Sequence, residues 1–336
     1  MWWLWYKLRV IMNLLASYVH NLDPVLLEVP GTAIAVRWYG LAYLMGFFLG
    51  FLLLRYLSSK KLYCVEKDKL GDFITLVCLF GVVCGGRLGE FFFYWLPQHG
   101  FSGFCEDPTW VFRVWEGGMA SHGGIIGVAL VALLYARKQK YNAAALLDGL
   151  AIAAPIGLFF GRVANFINGE LYGRICAEDS CVAVKFPQAV EALSGEQKDV
   201  LFGNLYMQTG AFPRTYEELV TLCRENDVCR ELVANAVPAR YPSQLFEAFG
   251  EGLLILLVLV LVRLRWKNAP AGVFAGMFGV LYAIARVVCE CFKEPDDAVW
   301  MGITKGQWLS FGIFALGIAL LFYAFKQKKC QNLQKN

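Results

Sequence analysis

Seven stretches of mostly apolar residues dominate the sequence and restrict the fold more than any other feature. A helix needs about 20 such residues to cross the hydrocarbon core of a bilayer. Within lipid, a helix satisfies its own backbone hydrogen bonds. We therefore predict an all-α integral membrane protein with seven transmembrane helices. The predicted spans are 38–57, 70–95, 118–135, 143–167, 244–262, 272–292 and 306–325.

The charge content favours a membrane protein over two soluble domains. Only 17% of the 336 residues are charged, whereas about 25% is typical of soluble domains. The net charge of +4 is spread along the chain without a basic tract or a nucleic-acid-binding motif. We therefore expect no nucleic acid among the partners.

Lysine and arginine residues predict the orientation. They are frequent in the segments after spans one, three, five and seven, and rare in the opposite short loops. Such a bias marks the cytoplasmic side, so we expect the N-terminus outside and the C-terminus in the cytoplasm. The expected parts are an interfacial N-terminal segment (1–37), helices one to four (38–167), an exterior insert (168–243), helices five to seven (244–325) and a cytoplasmic tail (326–336).

Two features outside the spans carry further expectations. The first seventeen residues contain three tryptophans before Lys7 and Arg9, an order that favours an interfacial amphipathic helix over a signal peptide. The exterior insert contains four cysteines. An even number in an oxidising compartment predicts two disulfides, and three pairings remain open. The cysteines are Cys176, Cys181, Cys223 and Cys229.

The fourth apolar stretch ends in a dense polar segment, GRVANFINGELYGR, at Gly161–Arg174. Charged residues such as Arg162 and Glu170 are costly in or near hydrocarbon, so they usually face a protein interior or a water-filled cavity. This segment is therefore our candidate for the centre of a site.

Polar residues of other spans fall at a similar expected depth. With the orientation given above, they occupy the outer halves of at least five helices. A channel or pump would distribute such groups through the bilayer, whereas one level favours chemistry on a lipid of the outer leaflet. Arginines bind phosphate bidentately, which makes a phospholipid head group the leading ligand. The residues are Tyr39, Arg87, Glu90, His122, Arg162, Asn165, Glu247, Glu251, Arg286 and Glu290.

The polar segment resembles the signature of the bacterial prolipoprotein diacylglyceryl transferases, G-R-x-[GA]-N-F-x-N-x-E-x-x-G. Six further blocks are similar to that family and follow in its order. They are RWYGLAYLMGF, GGRLGEFFFY, GGMASHGGIIG, RYPSQLFEAFGEG, ARVVCECFKEPD and KGQWLS. Tyr241 and Phe246 depart from the commoner RHPSQLYE.

The resemblance implies an enzyme of the bacterial inner membrane whose active site faces the periplasm. Such an enzyme moves the diacylglyceryl group of phosphatidylglycerol onto the lipobox cysteine of a prolipoprotein signal peptide, and it releases glycerol phosphate. This is the first step of lipoprotein maturation. No metal or other cofactor is implied. The alternatives left open are another phospholipid-processing enzyme, such as a phosphatase, and a lipid transporter.

The resemblance also implies roles for individual residues. His122 corresponds to the proposed general base, and Arg286 and Glu290 to the essential pair of span six. The expected catalytic residues are His122, Arg162, Arg286 and Glu290. The expected phosphatidylglycerol-binding residues are Tyr39, Arg162, Asn165, Glu170, Gly173 and Arg286, with Arg87 and Glu247 as secondary candidates.

Overall fold

The structure is a computed structural model that describes residues 18–28, 35–113, 118–295 and 301–333. The interfacial helix predicted for the first seventeen residues lies outside the described residues. Most of the described chain is helical. The main helices are α1 (Trp38–Ser59), α2 (Leu70–Glu106), α3 (Ser121–Gln139), α4 (Ala143–Asn168), α5 (Gly195–Thr209), α6 (Tyr216–Glu225), α7 (Asp227–Ala236), α8 (Ser243–Arg265), α9 (Val273–Glu290) and α10 (Lys305–Leu333).

Six of the seven predicted spans form helices that are long and apolar enough to cross a membrane. They are α1, α2, α4, α8, α9 and the part of α10 from Gly306 to Lys328. The remaining span forms α3, whose 19 residues include three charged or imidazole side chains and three glycines. The chain is thus a mostly helical, multi-pass membrane protein, while a seventh crossing by α3 and the orientation stay predictions.

Four short strands correct the all-α prediction in detail. β1 (Tyr18–Val19) pairs in parallel with β4 (Val184–Lys185), and β2 (Val25–Glu28) pairs antiparallel with β3 (Ala35–Arg37). Strands of two to four residues are too short to show an alternating pattern, so hydrophobic periodicity does not predict them.

The chain divides into two compact units. The first unit is drawn from Met1–Gly46, Ile156–Ile255 and Leu281–Phe314, and the second from Phe47–Pro155, Leu256–Val280 and Ala315–Asn336.

In the second unit, α2 and α3 approach each other at a contact between glycines. A Cβ atom on Gly123 would collide with the backbone of Gly85 and Gly89. The amide of Ala120 donates to the carbonyl of Gly86 over 3.0 Å, which ties the start of α3 to α2. Small residues allow helix backbones to come this close. This contact sets the position of the first turn of α3.

Asp148, in α4, has a structural role in the second unit. Its carboxylate accepts hydrogen bonds from the backbone amides of Gly272 (2.7 Å) and Ala275 (2.8 Å) at the start of α9. These amides have no partner inside their own helix, and the helix dipole favours an anion there. These two hydrogen bonds explain why the apolar helix α4 contains the acidic residue Asp148.

In the first unit, part of the predicted insert has its own apolar core. Phe186, Leu205, Leu219 and Val233 are fully buried in it and come from α5, α6, α7 and the segment after β4. His20, next to β1, packs beside this core against Phe186. The N-terminal strand is therefore part of the same packed structure.

His20 is buried and uncharged. Its Nε2 donates to the carbonyl of Phe166 over 2.7 Å, and its Nδ1 has no hydrogen-bond partner among the described residues. Burial, with a smaller effect of the Arg224 charge, lowers the pKa of His20 from 6.5 to about 4. Between pH 6.5 and pH 4, the His20 side chain is therefore protonated in the unfolded chain but not in the folded protein.

We expect the protein to lose stability as the pH falls from 6.5 towards 4, because only the unfolded state gains the proton of His20. The loss attributable to His20 should reach about 2 kcal/mol at pH 5. His20→Asn should remove this part of the pH dependence. The measurement is the midpoint of thermal unfolding in detergent at pH 7 and pH 5. The exposed His99, changed to asparagine, serves as the control, and an identical pH dependence of wild type and His20→Asn would contradict the expectation.

Candidate active site

Five charged side chains of α4, α8 and α9 form one connected cluster in the first unit. Glu247 bridges two arginines, with Oε1 2.6 Å from Arg286 Nη1 and Oε2 3.1 Å from Arg162 Nη1. Glu251 bridges the same pair, at 3.1 Å from Arg286 and 3.5 Å from Arg162. Glu290 contacts Arg286 Nη2 at 3.1 Å. We call these five residues the arginine–glutamate cluster.

Local helix geometry positions the two bridging carboxylates. Glu247 ends the first α-helical turns of α8, and Glu251 lies in the π-helical stretch Ala248–Leu254 that follows. π-Helical turns are rare and are frequently found at functional sites. The helix starts at Ser243, directly after Pro242, and it delivers both glutamates to the cluster.

The two arginines are the accessible side of the cluster. The side chains of Glu247 and Glu251 are 0% exposed, whereas those of Arg162 and Arg286 are 18% and 13% exposed. Each guanidinium has five N–H donors in a rigid fork. The buried carboxylates therefore fix the position of both arginines. A ligand that approaches from the accessible side would meet the positive charge of the two guanidinium groups.

The charges of the cluster nearly balance. Three carboxylates oppose two guanidinium groups, and Lys293, a buried cation, interacts electrostatically with Glu247. Burying charges on membrane helices without a functional reason is unfavourable. Among the described residues no group of three histidine, cysteine, aspartate or glutamate side chains forms a metal site. The carboxylates are engaged by arginines, so an anionic ligand would contact the guanidinium groups on the accessible side.

Glu290 has a second set of partners at the start of α10. Thr304 Oγ1 donates to Glu290 Oε1 over 3.0 Å, and a Cβ on Gly306 would lie 2.9 Å from the same carboxylate. Sequence reasoning missed Thr304, although it directly precedes the KGQWLS block. The carboxylate thus joins α9, α10 and the cluster.

The predicted binding residues of the polar segment form a second group, at the end of α4. Asn165 is buried and donates from Nδ2 to Glu170 Oε1 over 2.7 Å. The Glu170 carbonyl accepts a 2.7 Å hydrogen bond from Gln244 Nε2. In α1, the ring of Tyr39 lies 5.3 Å from that of Tyr43, which interacts electrostatically with Glu170. The exposed Glu170 is therefore held by α4 through its carboxylate and by α8 through its backbone carbonyl.

Gly173 is required by backbone packing. Its amide donates to the carbonyl of Tyr241 over 2.8 Å, and its own carbonyl accepts from Arg240 Nη1 at 3.0 Å. Arg240 also forms an ion pair with Glu294 at 2.9 Å and stacks on Tyr172. Gly173 thus joins the polar segment to the residues that precede α8 and follow α9. Its role in phosphatidylglycerol binding stays a prediction.

Gly173→Ala should destabilise the protein by about 1–3 kcal/mol, the usual cost of overpacking. The added Cβ would lie 2.5 Å from the Tyr241 carbonyl oxygen and 2.6 Å from that of Phe292, and backbone atoms cannot rotate away. The matched control is Gly161→Ala at the other end of the same segment, where a Cβ meets no atom within 4 Å. Thermal unfolding in detergent compares the two. Equal midpoints would contradict the packing role of Gly173.

Tyr241 and Phe246, the two departures from the commoner block, belong to one aromatic group. Their rings lie 5.4 Å from the ring of Phe292, in each case edge to face. Such pairs contribute to packing through the aromatic quadrupole. The departure therefore replaces polar groups by an apolar contact beside α9.

Two predicted residues, His122 and Arg87, belong to the second unit. His122 is exposed on the first turn of α3, directly before Gly123 of the glycine contact. Arg87 is buried, and its guanidinium donates to the carbonyls of Trp110, Val111, Arg113 and Gly118. It also stacks on the Trp110 ring at 3.9 Å. Arg87 therefore holds the loop before α3, a role that the sequence did not indicate.

Comparison with known proteins decides the family. The family profile of prolipoprotein diacylglyceryl transferase matches residues 24–323. This chain belongs to the prolipoprotein diacylglyceryl transferase family. The resemblance drawn from seven sequence blocks is thereby confirmed, and the chain is a transferase.

Relatives of this family match nearly the whole chain. A phosphatidylglycerol–prolipoprotein diacylglyceryl transferase of Bdellovibrio bacteriovorus is 40% identical over 332 residues, covering 90% of this chain and 93% of the relative. Proteins of the same name from Neisseria gonorrhoeae and Francisella tularensis subsp. mediasiatica are 36% and 35% identical. They cover 92% and 94% of this chain, and 98% and 99% of their own lengths.

Proposed function

We propose that this transferase moves the diacylglyceryl group of phosphatidylglycerol onto the thiol of the lipobox cysteine of a prolipoprotein. A thioether forms and glycerol phosphate leaves. The observation that carries this proposal is the arginine–glutamate cluster, in which Arg162 and Arg286 share two buried carboxylates and keep an accessible side. The names of the relatives support the same substrates.

The proposed reaction is a displacement at carbon. The cysteine thiol loses its proton, and the thiolate attacks the glycerol carbon that carries the phosphate ester. The carbon–sulfur bond forms as the carbon–oxygen bond breaks, and the bonding electrons leave with the phosphate oxygen. The released glycerol phosphate therefore gains negative charge during the step.

Arg162 and Arg286 are the proposed binders of the phosphate. Donors that are already oriented towards developing charge stabilise the transition state more than the ground state. Glu247, Glu251 and Glu290 are positioning residues, because their carboxylates hold the guanidinium groups in place. Asn165, Glu170 and Tyr39 are proposed to bind the glycerol head group through hydrogen bonds.

His122 is the proposed general base. A cysteine thiol has an ordinary pKa near 8.5, so only a minority is thiolate at neutral pH. Since the thiolate is the nucleophile, a neutral imidazole beside the thiol would raise the reactive fraction at the moment of attack. His122 is exposed in the second unit, on the segment that enters α3.

We infer a topology in which all seven predicted spans cross the inner membrane. The N-terminus and residues 168–243 lie outside, residues 326–336 lie in the cytoplasm, and the site opens towards the outer leaflet. The distribution of lysine and arginine among the loops supports this orientation. A lipid substrate and a secreted prolipoprotein would then reach the site from the same side.

One incubation tests the proposed function. Purified protein in liposomes receives phosphatidylglycerol labelled in its acyl chains and a signal peptide whose lipobox contains the acceptor cysteine. The expected product is a labelled peptide with a thioether at that cysteine, formed only when the cysteine is present. Labelled lipid cleaved to diacylglycerol without peptide labelling would indicate a hydrolase, and movement of intact lipid between leaflets would indicate a transporter. Either of these results alone would contradict the proposal.

A further inference from the structure

Two of the four cysteines of the predicted exterior insert lie side by side. Cys223 in α6 and Cys229 in α7 place their sulfur atoms 3.1 Å apart. Both side chains are buried, at 1% and 0% exposure, within the apolar core of this part of the first unit. A disulfide has a sulfur–sulfur distance of about 2.05 Å, so a displacement of about 1 Å would join them.

The turn between α6 and α7 holds the two sulfurs together. Asn226 caps α7, with its Oδ1 accepting from the amides of Val228 (2.9 Å) and Cys229 (3.1 Å). Arg230 returns to the end of α6, where its guanidinium donates to the carbonyls of Cys223 (3.0 Å) and Arg224 (2.9 Å). The turn is therefore fixed by hydrogen bonds of its own, and the proximity of the thiols does not depend on a contact between distant segments.

We propose that Cys223 and Cys229 are joined by a disulfide in the protein as it exists in the cell. Of the three pairings that the sequence leaves open, this one leaves Cys176 and Cys181 to pair with each other. The inference rests on the exterior location of residues 168–243 given under the proposed function, because disulfides persist in oxidising compartments. In the step, two thiols lose two electrons and two protons to the disulfide of a thiol–disulfide oxidant, which is reduced to a dithiol.

Tryptic peptides can identify the pairing directly. Cleavage after Arg214, Arg224 and Arg230 separates Cys223 (peptide 215–224) from Cys229 (peptide 225–230), whereas Cys176 and Cys181 share peptide 175–185. Cells that express the full chain are lysed in N-ethylmaleimide and sodium dodecyl sulfate, so that the chain unfolds and buried free thiols are also blocked at once. The protein is then purified and digested without reductant, and its peptides are analysed by mass spectrometry.

The expected result is a linked pair of peptides 215–224 and 225–230 that separates on reduction. Peptide 175–185 should not be linked to another peptide or alkylated. Its mass should be lower than that of the reduced peptide by two hydrogen atoms, because Cys176 and Cys181 form an internal disulfide. Alkylated Cys223 and Cys229, or a link from either to peptide 175–185, would overturn the proposal.

Alkylation of the exposed Cys84 verifies the blocking reaction. Cys176→Ser should retain the linked pair, whereas Cys223→Ser should leave Cys229 alkylated. No readout uses transferase activity, so a negative result for the disulfide can be told apart from a negative result for the proposed transfer reaction.

Discussion

Arg286→Gln is expected to lower kcat/KM for diacylglyceryl transfer by at least about 10²-fold, the usual cost of losing one oriented donor to a developing oxyanion. Arg286 contacts three carboxylates, of Glu247, Glu251 and Glu290, and is thus the most connected residue of the cluster. Its removal takes one cation from the proposed phosphate site. The measurement is the initial rate of peptide thioether formation in liposomes of fixed phosphatidylglycerol content.

Loss of Arg286 also leaves the buried Glu290 without its arginine and leaves Glu247 and Glu251 with Arg162 alone. Breaking a buried ion pair destabilises proteins by about 3–5 kcal/mol. The double variant Glu247→Gln with Arg286→Gln removes one charge of each sign and should recover much of the thermal stability. It should not recover transfer, because the phosphate still lacks its arginine. Arg55→Gln changes an exposed arginine of α1 and should leave both quantities unchanged. If the double variant regained near-wild-type rates, Arg286 would have a structural role only.

His122→Gln is expected to lower the rate of transfer by about 10²- to 10⁴-fold, the range attributed to a general base. Glutamine keeps a hydrogen-bonding side chain of similar reach but cannot accept a proton at neutral pH. His99→Gln is the matched control, since His99 is exposed in α2 and contacts only the carbonyl of Trp95 in the described hydrogen bonds. Rates of His122→Gln within about tenfold of wild type would argue against a base and favour activation of the thiol by nearby arginines.

A selenocysteine peptide distinguishes proton transfer from a structural role of His122. A selenol is already ionised at neutral pH, so it does not need a base. The deficit of His122→Gln should therefore shrink when selenocysteine replaces the lipobox cysteine, whereas a variant with a distorted site would be impaired equally with both peptides. An unchanged deficit with the selenol peptide would contradict the general-base role.

Hydropathy and short motifs predicted the helices and several residues of the arginine–glutamate cluster, because both signals depend on local sequence. Runs of apolar residues indicate a helix in lipid wherever they occur. Arg162, Arg286 and Glu290 were predicted from their motifs, and the structure brings all three into one cluster. Glu247 had been a secondary candidate, and the structure places it at the centre of that cluster.

What the sequence left undetermined depends on contacts between distant segments. Arg87 was grouped with the phosphate ligands because it is an arginine in an outer half of a span. Its four carbonyl acceptors come from residues 110–118, whose backbone path no local pattern encodes. Thr304 reaches Glu290 only through the arrangement of α9 and α10. The pairing of β1 with β4 likewise joins segments about 165 residues apart.

The most direct test of the phosphate site is the binding of lipid without any peptide. Native mass spectrometry of the detergent-purified protein can compare phosphatidylglycerol with a diacylglycerol of the same acyl chains, which lacks the phosphate and the glycerol of the head group. We expect wild type to prefer phosphatidylglycerol, and Arg162→Gln or Arg286→Gln to reduce that preference by about 10- to 150-fold, because a hydrogen bond to a charged group contributes about 1.5–3 kcal/mol. An equal preference for phosphatidylglycerol in wild type and in both variants would show that these two arginines do not bind the lipid phosphate.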